Sequence, residues 1–464
     1  MLFIPNPHIK NAILSKRRNC NILNWTVFLK ATVYKHSGVN HPGKGEKLRT
    51  ILNDTLSSLK RKSDYFYKYL FWTLSRIFVY IYIRRKFNVV LEKSFDKIPK
   101  PPFVMVSNHA TFFDPWIVGH FSKYPIAIMN NEDAFRSPPV VRWYLKNIGT
   151  FPKKKGTSDY KAMKTTLQKL RLGYPVLIFP EGQTSWDGET QPVFSGIEKV
   201  IKRANVSLVM MNVKGNFLSK PWWADSYRKG KVRVTCKTLH KDKINSMSEK
   251  ELLDTFTKFI WNNDILNEEN KKINFTGENL ACGLERFLWI CKNCQSTDTL
   301  TTVNNTLSCS HCNSSWTVDS HFNFTNNNNI IADNSNLYEW VQWHKKITKA
   351  HILKTKEYKV LVKNSNVMYC SIDKNGKFIT IARGKLFLTK ENLSFKATDV
   401  ESHSFSIATE DITDYVYQRR DVFECRCGST NTLRFRIIGH SPMKWVYYFR
   451  YLNEYEIYEE RGFI

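Results

Sequence analysis

The sequence predicts an α/β domain led by an interfacial helix, then a small four-cysteine module, then a mostly-β C-terminal domain. Three observations carry this. Short apolar runs alternate with helically spaced segments from about 85 to 265, two CxxC pairs follow, and beyond Trp340 the chain breaks into strand-like stretches divided by turns. Alternation of the first kind builds a central sheet covered by helices.

At 464 residues the chain is long enough for two or three domains, and 42% hydrophobic with 14% aromatic residues supplies packed cores, so global disorder is excluded. Lysine plus arginine outnumber aspartate plus glutamate by 70 to 41, a formal charge of +29. Such an excess attracts polyanions: anionic membrane lipid or nucleic acid. No recognition helix or aromatic single-strand platform is recognisable, so no nucleic-acid partner is expected.

Residues 1–60 read as a loosely ordered basic extension without a secretory leader pattern. The domain expected over 61–265 opens with YFYKYLFWTLSRIFVYIYIRR, Tyr65 to Arg85, which is apolar and aromatic but interrupted by Lys68 and Arg76. A spanning helix needs roughly 20 apolar residues without such breaks. Tyr and Trp favour the headgroup boundary, and Arg84, Arg85 and Lys86 suit lipid phosphates, so the segment reads as an interfacial helix on anionic lipid; a core helix is the alternative. FVMVS (103–107), IAIMN (126–130), VLIFP (176–180), SLVMMNV (207–213) and KVRVTC (231–236) read as strands, and DYKAMKTTLQKL and SGIEKVIKRAN as helices.

Between about 286 and 320, Cys291 and Cys294 form CKNC and Cys309 and Cys312 form CSHC, with polar turn residues between. This is the ligand spacing of a four-cysteine zinc ribbon, in which metal substitutes for a core. His311 lies inside the second knuckle and reads as a spectator, and the FECRCGS pair Cys425 and Cys427 as structural. TNNNNIIADNSN marks a linker to a domain over 338–464. There YKVLV, VMYCSI, KFITIA, GKLFLT, LSFKA, SFSIA, VFECRC and LRFRII read as strands of a small barrel or sandwich, closed by one helix in PMKWVYYFRYLNE.

NHATFFDPW, residues 108–116, sets His109 and Asp114 into an otherwise apolar strand-to-helix passage. Buried polar groups must be paired. A carboxylate five residues on can hold one imidazole nitrogen protonated and leave the other as a base; a structural cap is the plain alternative. VLIFPEGQTS ends a strand in a turn where Glu181 can bond ligand hydroxyls and Gly182 lets backbone N–H groups approach an anion. GTFPKKKGTSD puts Lys153, Lys154 and Lys155 at a strand end. In a strand the two outer lysines would point away from the face that Lys154 uses.

Together NHATFFD, GTFPKK, FPEGQTS and SLVMMNV resemble, in order and spacing over about 85–240, the four blocks of the PlsC-like glycerolipid acyltransferases, the family of 1-acylglycerol-3-phosphate acyltransferase. The resemblance makes the α/β domain an acyltransferase domain; the N-terminal membrane-interface helix before it, and the zinc ribbon and mostly-β domain after it, stand on the residue patterns given above. It implies transfer of an acyl group from acyl-CoA or acyl carrier protein to the free hydroxyl of a lysophospholipid acceptor, most simply 1-acyl-sn-glycerol-3-phosphate, on the cytoplasmic face of a membrane. His109 would be the base and Asp114 its orienting partner. Lys154 would take the phosphate, and Glu181 with Gly182 would form the acceptor-binding turn. Lys154 replaces the usual arginine, and Gln183 and Thr184 stand where threonine and arginine are common. GKLFLTKENLSFKA, DITDYVYQ and the last helix resemble a pleckstrin-homology or GRAM-like domain. An inactive membrane adaptor is the rival reading, and a zinc-ribbon nucleic-acid binder a third.

Overall fold

The computed structural model describes residues 44–153, 160–327, 335–373, 377–428 and 431–453. Contacts separate Met1–Leu70 from Phe71–Ile464. Where described, the first is helix. The second holds the sheets, the site and the end of α1 (Lys44–Lys86). That helix starts inside the segment expected to be loosely ordered, which corrects the 1–60 boundary; residues 1–43 lie outside the described residues. Arg84, Arg85 and Lys86 fill its last turn, where cations complement the carbonyl end of the helix.

Among the described residues, the other helices of six residues or more are α2 (Asp114–Gly119), α3 (Pro139–Asn147), α4 (Tyr160–Arg171), α5 (Ile197–Ala204), α6 (Glu249–Ile260), α7 (Leu337–Lys354) and α8 (Pro442–Asn453). The first sheet is built from β1 (Asn88–Phe95), β2 (Phe103–Ser107), β3 (Ala127–Asn131), β4 (Phe151–Lys153), β5 (Val176–Ile178), β6 (Ser207–Lys214) and β8 (Lys231–Leu239), in the order β1-β8-β6-β2-β5-β3-β4. Its pairs are parallel except β6 with β8.

Alternation along β2 feeds two cores. Val104 and Val106 pack with Ile201, Leu252 and Phe256 on one face, and Phe103 and Met105 with Trp72, Ile83 and Ile117 on the other. A strand buried on both faces reads as an unbroken apolar run, as FVMVS does. On α1, Trp72 and Ile83 are buried, while Leu74, Ile77, Phe78 and Ile81 are exposed; spacings of three and four put these four along one stripe. No helix among the described residues is long and apolar enough to cross a membrane.

A two-strand ribbon of β7 (Arg228–Lys229) and β9 (Thr276–Gly277) leads into the cysteine module. There β10 (Leu300–Val303), β11 (Thr306–Cys309), β12 (Ser315–Val318) and β13 (Phe324–Asn326) form an antiparallel sheet. The linker residues 328–334 lie outside the described residues.

The C-terminal part is one seven-stranded sheet, where a barrel or sandwich was expected. It comprises β14 (Val362–Ile372), β15 (Phe378–Leu388), β16 (Asn392–Ala397), β17 (Phe405–Ala408), β18 (Ile412–Gln418), β19 (Val422–Cys427) and β20 (Asn431–Ile437). Their order is β17-β16-β15-β14-β20-β19-β18. KFITIA and GKLFLT belong to the single long strand β15, and most of YKVLV precedes β14. α7 was not expected. Asn336 and Glu339 form a full capping box at its start, and Leu337, Trp340, Val341, His344 and Thr348 line its buried face.

The parts are not beads on a string. One apolar core runs from Trp186, Phe217 and Trp223 through Trp316 of the cysteine module to Phe423 and Trp445. Its polar groups are paired across the same joins: the buried Lys444 ammonium meets Asp298, His344 bonds the Ile290 carbonyl, and Ser441 donates to the Phe287 carbonyl.

Candidate active site

β2, the central strand, delivers Asn108 and His109 just beyond its C-terminal end. Buried Asn108 reads β6 like a backbone partner, donating to the Val213 carbonyl and accepting from the Val213 N–H, each at 2.8 Å. His109 Nδ1 lies 2.9 Å from Asp114 Oδ2. Its ring stacks on Phe179 with centroids 4.3 Å apart, and Nε2 remains as the nitrogen available to the cleft.

Asp114 is fully buried, and its carboxylate is filled. Oδ2 also accepts the Ala110 and Thr111 N–H groups at 2.6 and 2.8 Å, and Oδ1 accepts the Asn216 amide at 2.7 Å. Asn216 is placed by Gly215, whose φ of 83° favours glycine and where a Cβ would meet the Lys231 carbonyl at 2.8 Å. A carboxylate has about four acceptor sites, so nothing here is left to reorient. The imidazole is locked in the tautomer that leaves Nε2 free to accept a proton.

The FPEGQTS turn differs from expectation. Glu181 is buried and lines no cleft; its two oxygens accept the His109 and Gln191 N–H groups at 2.5 and 2.6 Å. Those bonds replace the ligand hydroxyls assigned to it, and its task is to hold the backbone of the base. Burial pushes the Glu181 carboxyl well above the ordinary range, against the two N–H bonds. Gly182 does line the cleft, with φ 69° and a Cβ position 3.1 Å from Phe194. Its N–H, however, bonds the Phe179 carbonyl, and the Thr184 N–H bonds the Tyr417 hydroxyl. Neither is open to an anion.

Lys154 and Lys155 lie outside the described residues. Lys153, which strand alternation turned away from the acceptor, lines the cleft over the Phe194 ring. The cavity measures about 990 Å³. Its described lining includes Arg136, Arg142, Lys153, Lys377, Arg419 and Arg436, and no aspartate or glutamate.

The four cysteines come together as their spacing implied. Their sulfurs lie within 4.8 Å of one another, with Cys291 to Cys312 at 3.7 Å and Cys294 to Cys309 at 3.8 Å. Zinc–sulfur bonds of about 2.3 Å at tetrahedral angles set sulfurs about 3.8 Å apart, so the donor set fits that ion. His311 is exposed and outside the cluster, and Cys425 is buried in β19.

Sequence reasoning missed Asn108, Asn216 and Tyr417. Asn108 opens the NHATFFDPW stretch and Asn216 follows SLVMMNV, but neither has meaning until β2, β6 and Asp114 meet. Tyr417 reads as an ordinary strand residue about 230 positions from its partner Thr184.

Residues 86–214 match the acyltransferase family model. The chain is 26% identical over 190 residues to the chloroplastic 1-acyl-sn-glycerol-3-phosphate acyltransferase LPAT1 of Arabidopsis thaliana, covering 40% of this chain and 51% of that one. It is 27% identical over 142 residues to the chloroplastic 1-acyl-sn-glycerol-3-phosphate acyltransferase BAT2 of Brassica napus, covering 29% and 39%. The chain thus spans about half or less of the length of these curated relatives. Among solved structures, the 1-acyl-sn-glycerophosphate acyltransferase PlsC of Thermotoga maritima is 20% identical with a TM-score of 0.35, covering 44% of this chain and 79% of that one. The domain that carries His109 and Asp114 is therefore an acyltransferase-family domain, similar to those of 1-acyl-sn-glycerol-3-phosphate acyltransferases.

Proposed function

We propose that the protein moves a fatty acyl group from the thioester of acyl-CoA or acyl carrier protein to the free hydroxyl of 1-acyl-sn-glycerol-3-phosphate, forming phosphatidic acid. The observation that carries this is the His109–Asp114 pair, its carboxylate buried and fully bonded and its imidazole opening on a cleft whose charged lining, among the described residues, is wholly basic. The acceptor hydroxyl attacks the thioester carbonyl carbon while His109 Nε2 takes its proton. The tetrahedral intermediate collapses to the ester, the carbon–sulfur bond breaks, and the imidazolium returns the proton to the departing thiolate. Asp114 holds the ring throughout and stabilises its charged form.

Zinc on Cys291, Cys294, Cys309 and Cys312 is structural in this reading, because four thiolates leave no open position for a substrate. The strand order of the C-terminal sheet, with α8 packed on it, supports the pleckstrin-homology or GRAM-like reading.

The exposed stripe of Leu74, Ile77, Phe78 and Ile81 supports a helix lying on the membrane surface. Arg84, Arg85 and Lys86 share a basic recess of about 470 Å³ with Lys229 and Lys231, suited to anionic headgroups on the cytoplasmic face. Purified protein in liposomes, screened against acyl-CoA and acyl carrier protein donors and several lysolipids, tests the function. Transfer to 1-acyl-sn-glycerol-3-phosphate above other acceptors is expected; no transfer to any lysolipid would leave the inactive-adaptor reading.

A further inference from the structure

The cleft beside His109 has a second wall that the catalytic domain does not supply. Tyr417, Gln418, Arg419 and Arg436 of the C-terminal sheet line the same cavity as His109 and Gly182. Hydrogen bonds fix this wall. The Tyr417 hydroxyl donates to the Thr184 carbonyl at 2.8 Å and accepts the Thr184 N–H at 3.1 Å, gripping the turn that follows Gly182. Asn131 at the end of β3 donates to the buried Gln418 amide oxygen at 3.1 Å, and the Trp222 indole donates to the Arg419 carbonyl at 2.8 Å.

Arg419 sits in the β18–β19 turn with φ 53°, a conformation that non-glycine residues hold only where their surroundings enforce it. Its guanidinium lies over the Phe378 ring, 4.4 Å from the centroid, and it forms no ion pair among the described residues. Arg436, opposite Val422 in the β19–β20 ladder, bonds Asp421 and is half exposed. A lining whose described charged residues are all basic, set beside apolar ones, concentrates field on an anion. The Gly182 and Thr184 N–H groups are already bonded, so neither donates to that anion, and the cations of the lining are the stronger donors offered to it.

We propose that Arg419, assisted by Arg436, binds the phosphate of a substrate of the transfer reaction, so that the C-terminal sheet is part of the substrate site. Which substrate it binds rests on the acyltransferase reading, because both 1-acyl-sn-glycerol-3-phosphate and acyl-CoA carry phosphate. Guanidinium matches phosphate bidentately, and Phe378 beneath it restricts its orientation.

The test uses full-length protein in liposomes with Arg419→Ala, Arg419→Lys, Arg436→Ala and Lys385→Ala. The last removes an exposed cation elsewhere on the same sheet, away from the cleft. Arg419→Ala is expected to raise KM for one of the two phosphorylated substrates about tenfold, with kcat within about twofold; Arg419→Lys and Arg436→Ala raise it less, and Lys385→Ala raises neither. The substrate whose KM moves identifies the phosphate. Unchanged KM for both, or a loss confined to kcat, overturns the proposal.

Direct binding of 1-acyl-sn-glycerol-3-phosphate and of CoA to proteins that all carry His109→Ala gives the same answer without turnover. If the wild type transfers nothing, the acyltransferase reading fails. Phosphate recognition still stands or falls on whether either ligand is held more weakly when Arg419→Ala is added.

Discussion

Asp114, on the catalytic wall of the cleft, is fully buried with both oxygens bonded, whereas Arg436, on the wall from the C-terminal sheet, has a 51% exposed side chain and one acidic partner. The first wall fixes a geometry and the second offers charge. Proton transfer depends on a base held in one tautomer and one orientation, which only buried, saturated hydrogen bonds enforce. Phosphate recognition tolerates looser groups because a charge acts over distance. Substitutions on the catalytic wall should therefore act on kcat, and those at the basic lining on KM.

Short of removing the base itself, the largest expected effect is at Asp114. Asp114→Asn keeps the volume but lets an amide face His109 Nδ1 and the Ala110 and Thr111 N–H groups, so the ring loses its enforced tautomer. A loss of about 10³ to 10⁴ in kcat is expected, with little change in liposome binding. Single-turnover acyl transfer checks it, and a loss expressed mainly in KM would erase the contrast between the walls.

Next is the cysteine module. Cys309→Ser removes a ligand, and because the module shares a core with both Trp186 and Trp445, the second wall should loosen with it. Loss of bound zinc and a fall in melting temperature of about ten degrees or more are expected. Zinc content and thermal melts decide it; a full zinc complement in Cys309→Ser would refute the ligand assignment.

What could be read in the sequence follows the same division. NHATFFD pointed to a dyad because histidine and aspartate in an apolar passage must be paired, and CKNC with CSHC pointed to a metal cluster because each knuckle is local. β2 and β19 were legible to the residue as unbroken or alternating apolar runs. α7 was missed because its aromatic and β-branched residues outweighed the Asn336 and Glu339 capping signal. The role of Glu181 was misread because a carboxylate in a turn looks exposed until the backbone of His109 is seen folding onto it. Lys153 lines the cleft against the alternation argument because it closes a strand of three residues, too short for alternation to settle which face a terminal side chain takes. Tyr417 and Arg419 were illegible for another reason: no local pattern records a contact made across about 230 residues.

A smaller effect is expected at Lys153, whose ammonium lies near Gly182 in the cleft. Lys153→Ala should raise KM for a phosphorylated acceptor severalfold, about as one lost charged contact does, and leave kcat nearly unchanged. Acceptor kinetics read this directly, and a fall in kcat alone would place Lys153 with the dyad instead.

The smallest expected effect is a pH dependence. Burial, with the Asp187 carboxylate adding and Lys345 opposing, raises the Glu189 pKa to about 7 from 4.5. Between those values the folded protein keeps a proton that the unfolded chain has lost, so this group's contribution to stability is full below pH 4.5 and declines as pH rises toward 7. Glu189→Gln should flatten that slope in melts taken from pH 5 to 8. An unchanged slope would assign it to other groups.

The most direct measurement compares wild type with His109→Ala, both reconstituted in liposomes with acyl-CoA and 1-acyl-sn-glycerol-3-phosphate, by following phosphatidic acid formation. The wild type should form it, and His109→Ala should form it no faster than the uncatalysed background while still folding and binding the liposomes. Transfer at the wild-type rate by cleanly prepared His109→Ala protein would contradict the assignment of the base, and with it the catalytic account.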